Sequence, residues 1–230
     1  MIYGVQILLA SMGVGGVLPS AVSDVACIVC FWVYARKRRI GARGLGFVHV
    51  GGLWYVAAVL VGASAWYVNL TIVTLLHVPQ GPTEVLEGLV EKTPLVSTLA
   101  ALAVLPPFAE EIVFRGVLAR GLATARPPWQ AILISSAVFG AYHILPAQAA
   151  ATFLLGCLLA FLTLRSGSIV PAIIVHFLNN VIAIVVTRET VPGFGTWMMN
   201  HPAVMLSSAV TLLLGGIAVA MAAPRQEAAA

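Results

Sequence analysis

Apolar stretches of about the length needed to cross a bilayer follow one another along most of this chain, and that pattern restricts the fold more than any other feature. One runs from about Val50 to Leu76; others occupy about 95–124, 129–145, 149–164, 169–187 and 203–222. A helix needs ~20 apolar residues to span the hydrocarbon core, and in lipid every backbone polar group must be satisfied within the segment. Only helices or closed barrels meet that demand, and runs this long are helical. Of the 230 residues, 60% are hydrophobic and 9% are charged, whereas a soluble domain carries about a quarter charged residues. The expected fold is therefore all-α, a polytopic transmembrane bundle of about seven or eight helices forming one integral membrane domain over 1–230.

The first apolar run, residues 2–35, exceeds one span. Leu18-Pro19-Ser20 interrupts it, giving either a short first helix and then a second, or one long broken span. No basic n-region precedes it, so the first segment reads as retained. Asp24 follows the interruption and is expected to cap a helix start. Asn69, inside the second run, is expected to be satisfied between helices. Residues 79–92, with Glu84, Glu87, Glu91 and Lys92, are amphipathic enough to lie on a membrane surface. Thr93-Pro94 reads as a helix start, a capping hydroxyl followed by proline at the first helical position. Pro106-Pro107 should bend that helix, and Pro127-Pro128 turns the chain back. Cys27, Cys30 and Cys157 all fall in apolar stretches, so no disulfide framework is implied.

The formal charge of +4 does not indicate nucleic acid, because the basic residues lie between spans and act as topology signals. With the Arg36–Arg43 loop in the cytoplasm, alternation puts Arg115, Arg120, Arg126, Arg165 and Arg225 on the same side. Lys92 and Arg188 are left outside. The expected location is a prokaryotic plasma membrane, crossed several times.

Within this apolar background lies Glu110-Glu111. A charged side chain near the bilayer centre costs at least ~2.5–3.5 kcal/mol on insertion scales, so two adjacent carboxylates require partners or a function. Neighbours on a helix point ~100° apart, which denies the two acids equal roles. Arg115 lies four residues after Glu111, acid before base, the favourable order for a helical ion pair. Glu110 is thereby left for chemistry. Three further polar positions fall on later helices: His143, in Phe139-Gly-Ala-Tyr-His143, then His176 and Asn180, four apart on one face. Glu110 is 16 residues before Arg126 and His143 is 15 after Pro128, ~24 and ~22 Å of helix from one turn. His176 and Asn180 lie 11 and 15 residues beyond Arg165, a similar ~16–22 Å. All four are expected in one layer.

A buried glutamate is suited to general-base activation of water, and a neutral histidine can orient the same water. His176 and the Asn180 amide could donate to a developing oxyanion. This is a toolkit for peptide hydrolysis without a serine or cysteine nucleophile. Two histidines and a carboxylate, Glu110, His143 and His176, would also make a zinc shell. The H-E-x-x-H helix of common zinc proteases is absent, so zinc is permitted and not required.

At these residues the sequence resembles the CAAX protease and bacteriocin-processing (CPBP, or Abi) family of intramembrane endopeptidases, which includes prenyl-protein CAAX proteases. The resemblance rests on E-E-x-x-x-R at Glu110, Glu111 and Arg115, F-x-x-x-H at Phe139 and His143, and H-x-x-x-N at His176 and Asn180. The Gly167–Pro171 lead-in, G-S-I-x-P, adds to it, and the likeness covers about 95–185, the expected core helices. It implies that Glu110 and His143 activate water, that His176 and Asn180 stabilise the oxyanion, and that Glu111, Arg115 and Phe139 support them. It implies a glutamate mechanism without a cofactor. The substrate would be a membrane-associated protein or peptide, cleaved from the cytoplasmic side of the bilayer. Two other functions compete: a non-catalytic scaffold such as a bacteriocin-immunity protein, and a transporter using the same residues as a proton relay. No inverted repeat of the transporter kind is visible.

Overall fold

In the computed structural model, residues 17–79, 92–143 and 145–225 are described. The expectations for residues 2–16 and for the amphipathic 80–91 segment fall outside them. Among the described residues the chain forms eight helices. They are α1 (Leu18–Lys37), α2 (Gly52–Leu75), α3 (Leu95–Ala123), α4 (Pro128–Tyr142), α5 (Pro146–Ser166), α6 (Val170–Thr187), α7 (Phe194–Asn200) and α8 (Pro202–Ala222). Six of these, all but α4 and α7, are long and apolar enough to cross a membrane. The all-helical polytopic bundle is as the apolar runs require, and the chain is an integral, multi-pass membrane protein. Large apolar side chains point outward on most of the helices, among them Val25, Trp32, Val56, Leu133 and Leu214; in lipid these are the solvated surface.

Proline sets several of the helix starts. It occupies the first turn of α1, α4, α5, α6 and α8, where its missing N–H has no helical partner to lose. Leu18-Pro19-Ser20 is thus the beginning of α1. Asp24 lies inside that helix, buried, and α1 carries no side-chain cap; its expected capping role is corrected. The reading of Thr93-Pro94 shifts too. Helix α3 opens at Leu95 with Pro94 just before it and no side-chain cap. Thr93 contributes its carbonyl instead, accepting from the Thr98 hydroxyl at 3.3 Å and Arg188 Nη1 at 2.6 Å.

Helix α2 is the central post. It packs along α8 and against α6 and α5, α4 pairs with α5, and α1 leans on the 100–111 part of α3. The core between them is built on Trp54, Val61, Phe114, Phe139, Leu159 and Val175. Gly62 permits a close approach of α6 to α2. A Cβ there would stand 3.1 Å from the Val175 Cα and 3.0 Å from the Leu178 Cβ, so α6 passes α2 nearly backbone to backbone beside His176. Asn69 Nδ2 donates to the Ala151 carbonyl at 3.4 Å, an interhelical bond of the kind its position in an apolar run demands.

One span assignment and one depth estimate are revised, while the break between the 149–164 and 169–187 runs is where the sequence placed it. Helix α4 has only 15 residues, ~22 Å of helix against a core of ~30 Å, so it falls short of the length a full span requires. Between Arg165 and His176 the helix is interrupted: α5 ends at Gly167, with φ of 72° in the left-handed region that glycine favours. Residues 166–169 then form a buried turn. Ser168 Oγ donates to the Val48 carbonyl at 2.6 Å, and Ile169 N donates to the Gly46 carbonyl at 2.9 Å. The loop after α1 therefore lies over the α5–α6 turn, and His176 sits only six residues into α6.

The same end of the bundle gathers most of the basic residues. Arg120 Nη1 donates to the Gly44 carbonyl at 3.0 Å, and Arg165 donates to the Ala220 carbonyl at 2.9 Å and to that of Met221. Trp54 Nε1 donates to the Pro224 carbonyl at 3.2 Å. Loop 38–51, the ends of α3 and α8 and the α5–α6 turn thus share one face. Arg115 leaves this set: it is buried in the core and is not a loop charge.

Candidate active site

Helix α3 carries the two carboxylates on a backbone that departs from the regular α form. It winds in π turns over Ala100–Val104 and again over Ile112–Ala119, on either side of Leu105–Glu111. The cause of the first lies in Pro106 and Pro107, which offer no N–H and whose rings crowd the preceding turn. Widening ahead of them is the form taken by the expected bend. Glu110, Glu111 and Arg115 are all buried just past this point.

Glu111 is the hub of the charged cluster. Its Oε1 accepts from Arg115 Nη1 at 3.0 Å and from His176 Nδ1 at 2.9 Å. The ion pair expected from the i,i+4 spacing is present; the bond to His176, 65 residues later, has no local signal and was not foreseen. Arg115 Nη2 reaches the Gly156 carbonyl on α5 at 3.4 Å, and its guanidinium carbon lies 4.2 Å from the centre of the Phe139 ring. A desolvated contact of that kind adds about 2 kcal/mol. Phe139 also meets the His143 and His176 rings edge to face, at 5.1 and 5.9 Å between centroids. The aromatic of F-x-x-x-H is the spacer that holds two imidazoles and a cation around one ring.

His176 faces both acids. With Nδ1 committed to Glu111, its Nε2 is directed at Glu110 Oε2, 3.8 Å away. That separation is too long for a direct hydrogen bond. His143 is the residue that terminates α4, rather than one inside the helix. Its Nδ1 lies 3.0 Å from the Phe139 carbonyl. A carbonyl only accepts, so Nδ1 carries the hydrogen, and in the neutral ring Nε2 is left as an acceptor. His143 and His176 are within electrostatic reach of each other.

Asn180 stands apart from this group. Its Nδ2 donates to the Leu102 carbonyl on α3 at 3.0 Å, and its Oδ1 accepts from Asn179 Nδ2 at 3.3 Å. A second amide hydrogen is left over, because an amide nitrogen carries two. Asp24 joins the site from α1: it is buried on the helix that packs on 105–111 and is within electrostatic reach of Glu110. Its only sequence signal was a lone acid in an apolar run, the same signal that drew attention to Glu110. Among the described residues no three His, Cys, Asp or Glu side chains gather as the ligands of one metal ion would. The zinc set of Glu110, His143 and His176 is therefore not assembled in this arrangement.

Fold and site together define a class: a multi-pass helical membrane protein with acids and imidazoles clustered in the interior of its bundle. Residues 92–182 match the family model described as type II CAAX prenyl endopeptidase Rce1-like. The matched stretch holds all three motifs that carry the resemblance, and it is similar to that family over those residues. That similarity supports intramembrane endopeptidase activity in general terms. No curated protein and no solved structure matches the chain.

Proposed function

We propose that the chain hydrolyses a peptide bond of a membrane-associated protein or peptide, with Glu110 as the base and without a metal step. The observation that carries this reading is the juxtaposition of Glu110 Oε2 and His176 Nε2, 3.8 Å apart, a carboxylate beside an imidazole inside an apolar bundle. Glu110 takes a proton from water while His143 Nε2 accepts the other water hydrogen and orients the oxygen. The oxygen attacks the scissile carbonyl carbon, and the negative charge moves onto the carbonyl oxygen. His176 Nε2 and the spare amide hydrogen of Asn180 donate to that oxyanion. His176 does so when its ring carries both protons, with Glu111 as counter-charge to the imidazolium. As the C–N bond breaks, Glu110 returns its proton to the leaving amine.

The site is read as open toward the cytoplasm, an orientation supported by the collection of basic residues at one end of the bundle. The test is a comparison of membrane proteomes from cells carrying the native chain and cells carrying Glu110→Gln. The expected result is at least one membrane-associated protein that keeps a longer terminus in the variant cells. Identical termini throughout would contradict hydrolysis and favour a binding or scaffold role.

A further inference from the structure

We infer that Asn180 is a positioning residue for Glu110, acting by supplying the hydrogen bond that two prolines remove from α3. In an α-helical register the N–H of residue 106 would serve the Leu102 carbonyl, and in a π register the N–H of residue 107 would do so. Both residues are proline, so neither register gives that carbonyl a backbone donor. A buried carbonyl without a partner is costly, and native structures rarely leave one. Asn180 Nδ2 fills the vacancy at 3.0 Å from the neighbouring helix. The carbonyl can only accept and Asn179 Nδ2 donates to Asn180 Oδ1, so both contacts agree on which amide atom is the nitrogen.

The bond belongs to a stripe. His176, Asn180 and Arg188 recur at multiples of four along α6 and its end. They reach Glu111 and Leu102 on antiparallel α3 and Thr93 just before it. The prolines that create the vacancy lie three and four residues before Glu110. Whatever fixes α3 against α6 at Leu102 therefore fixes the approach of Glu110 to His176. The motif asparagine thus has a task in the resting protein, separate from any contact with an oxyanion.

The activity part of this inference rests on Glu110 being the base; the structural part does not. The experiment places Asn180→Ala in the native chain and in a Pro106→Ala/Pro107→Ala background, purified in the same detergent. In the native chain the substitution should lower the melting temperature by about 2–4 °C, the shift of one lost buried hydrogen bond. In the proline-free background the restored backbone N–H should remove at least half of that shift. The loss in kcat caused by Asn180→Ala should shrink in parallel, with KM little changed in either background. An equal fall in melting temperature in both backgrounds would overturn the inference. So would an equal fold-loss in kcat in both, which is the behaviour of a residue that only donates to the oxyanion. If Glu110→Gln proves active while the melting shifts still depend on the prolines, the reading of the base has failed and the Asn180–Leu102 bond has not.

Discussion

Glu111 illustrates how one buried carboxylate oxygen can serve structure and chemistry together. It takes hydrogen bonds from both Arg115 and His176 while Glu110, the preceding residue, lies toward the other nitrogen of the same imidazole. Replacing Glu111 by Gln strands the Arg115 cation in the core. Removing one partner of a buried pair typically costs ~3–5 kcal/mol. The expected outcome for Glu111→Gln is a markedly lower melting temperature in detergent, with activity reduced because His176 loses the group that orients it. Arg115→Ala should melt low as well, and the double variant should be less damaged than the two singles added together. A Glu111→Gln protein that melts like the native chain would contradict this account. The Glu111–Arg115 pair was legible from spacing alone, because i,i+4 neighbours meet on any helix. The His176 bond was not, because nothing in sequence order tells which face of α6 turns toward α3. Asp24 was misread for a related reason: a polar residue after a proline resembles a cap until the helix is seen to begin six residues earlier.

At the scale of elements, hydrophobic runs and prolines located most of the helices, since both act locally. The bend at Pro106-Pro107 was readable, but its form was not. Whether a helix kinks or widens into π turns depends on what the neighbouring helix offers the orphaned carbonyls, and here α6 offers an asparagine. The shortness of α4 was hidden because the apolar run continues through His143 into α5 without a charged break. Equating 129–145 with a span counted residues that belong to a turn. The depth of His176 was likewise counted along an unbroken helix from Arg165. The buried 166–169 turn, held by the 46–48 loop, supplies by fold what the count assigned to helix length.

For the whole molecule, the basic residues gather at one end of the bundle, where the Arg120 side chain donates to the Gly44 carbonyl of loop 38–51 and that of Arg165 to the Ala220 carbonyl near the end of α8. With native cysteines replaced, Arg39→Cys should react with an impermeant thiol reagent from the cytoplasmic side only. His77→Cys, beyond the far end of α2, should react from the outer side only. Labelling of both from one side would contradict the proposed orientation. The central claim concerns Glu110 and is tested most directly on the purified protein in lipid nanodiscs. The measurement is the cleavage rate of Glu110→Gln beside its melting curve and beside the native chain treated with a strong chelator. The account predicts a loss of ~10²–10⁴-fold for Glu110→Gln, a melting temperature no lower than native, and native activity indifferent to chelation. Cleavage by Glu110→Gln at the native rate, or native activity abolished by the chelator and restored by zinc, would contradict it.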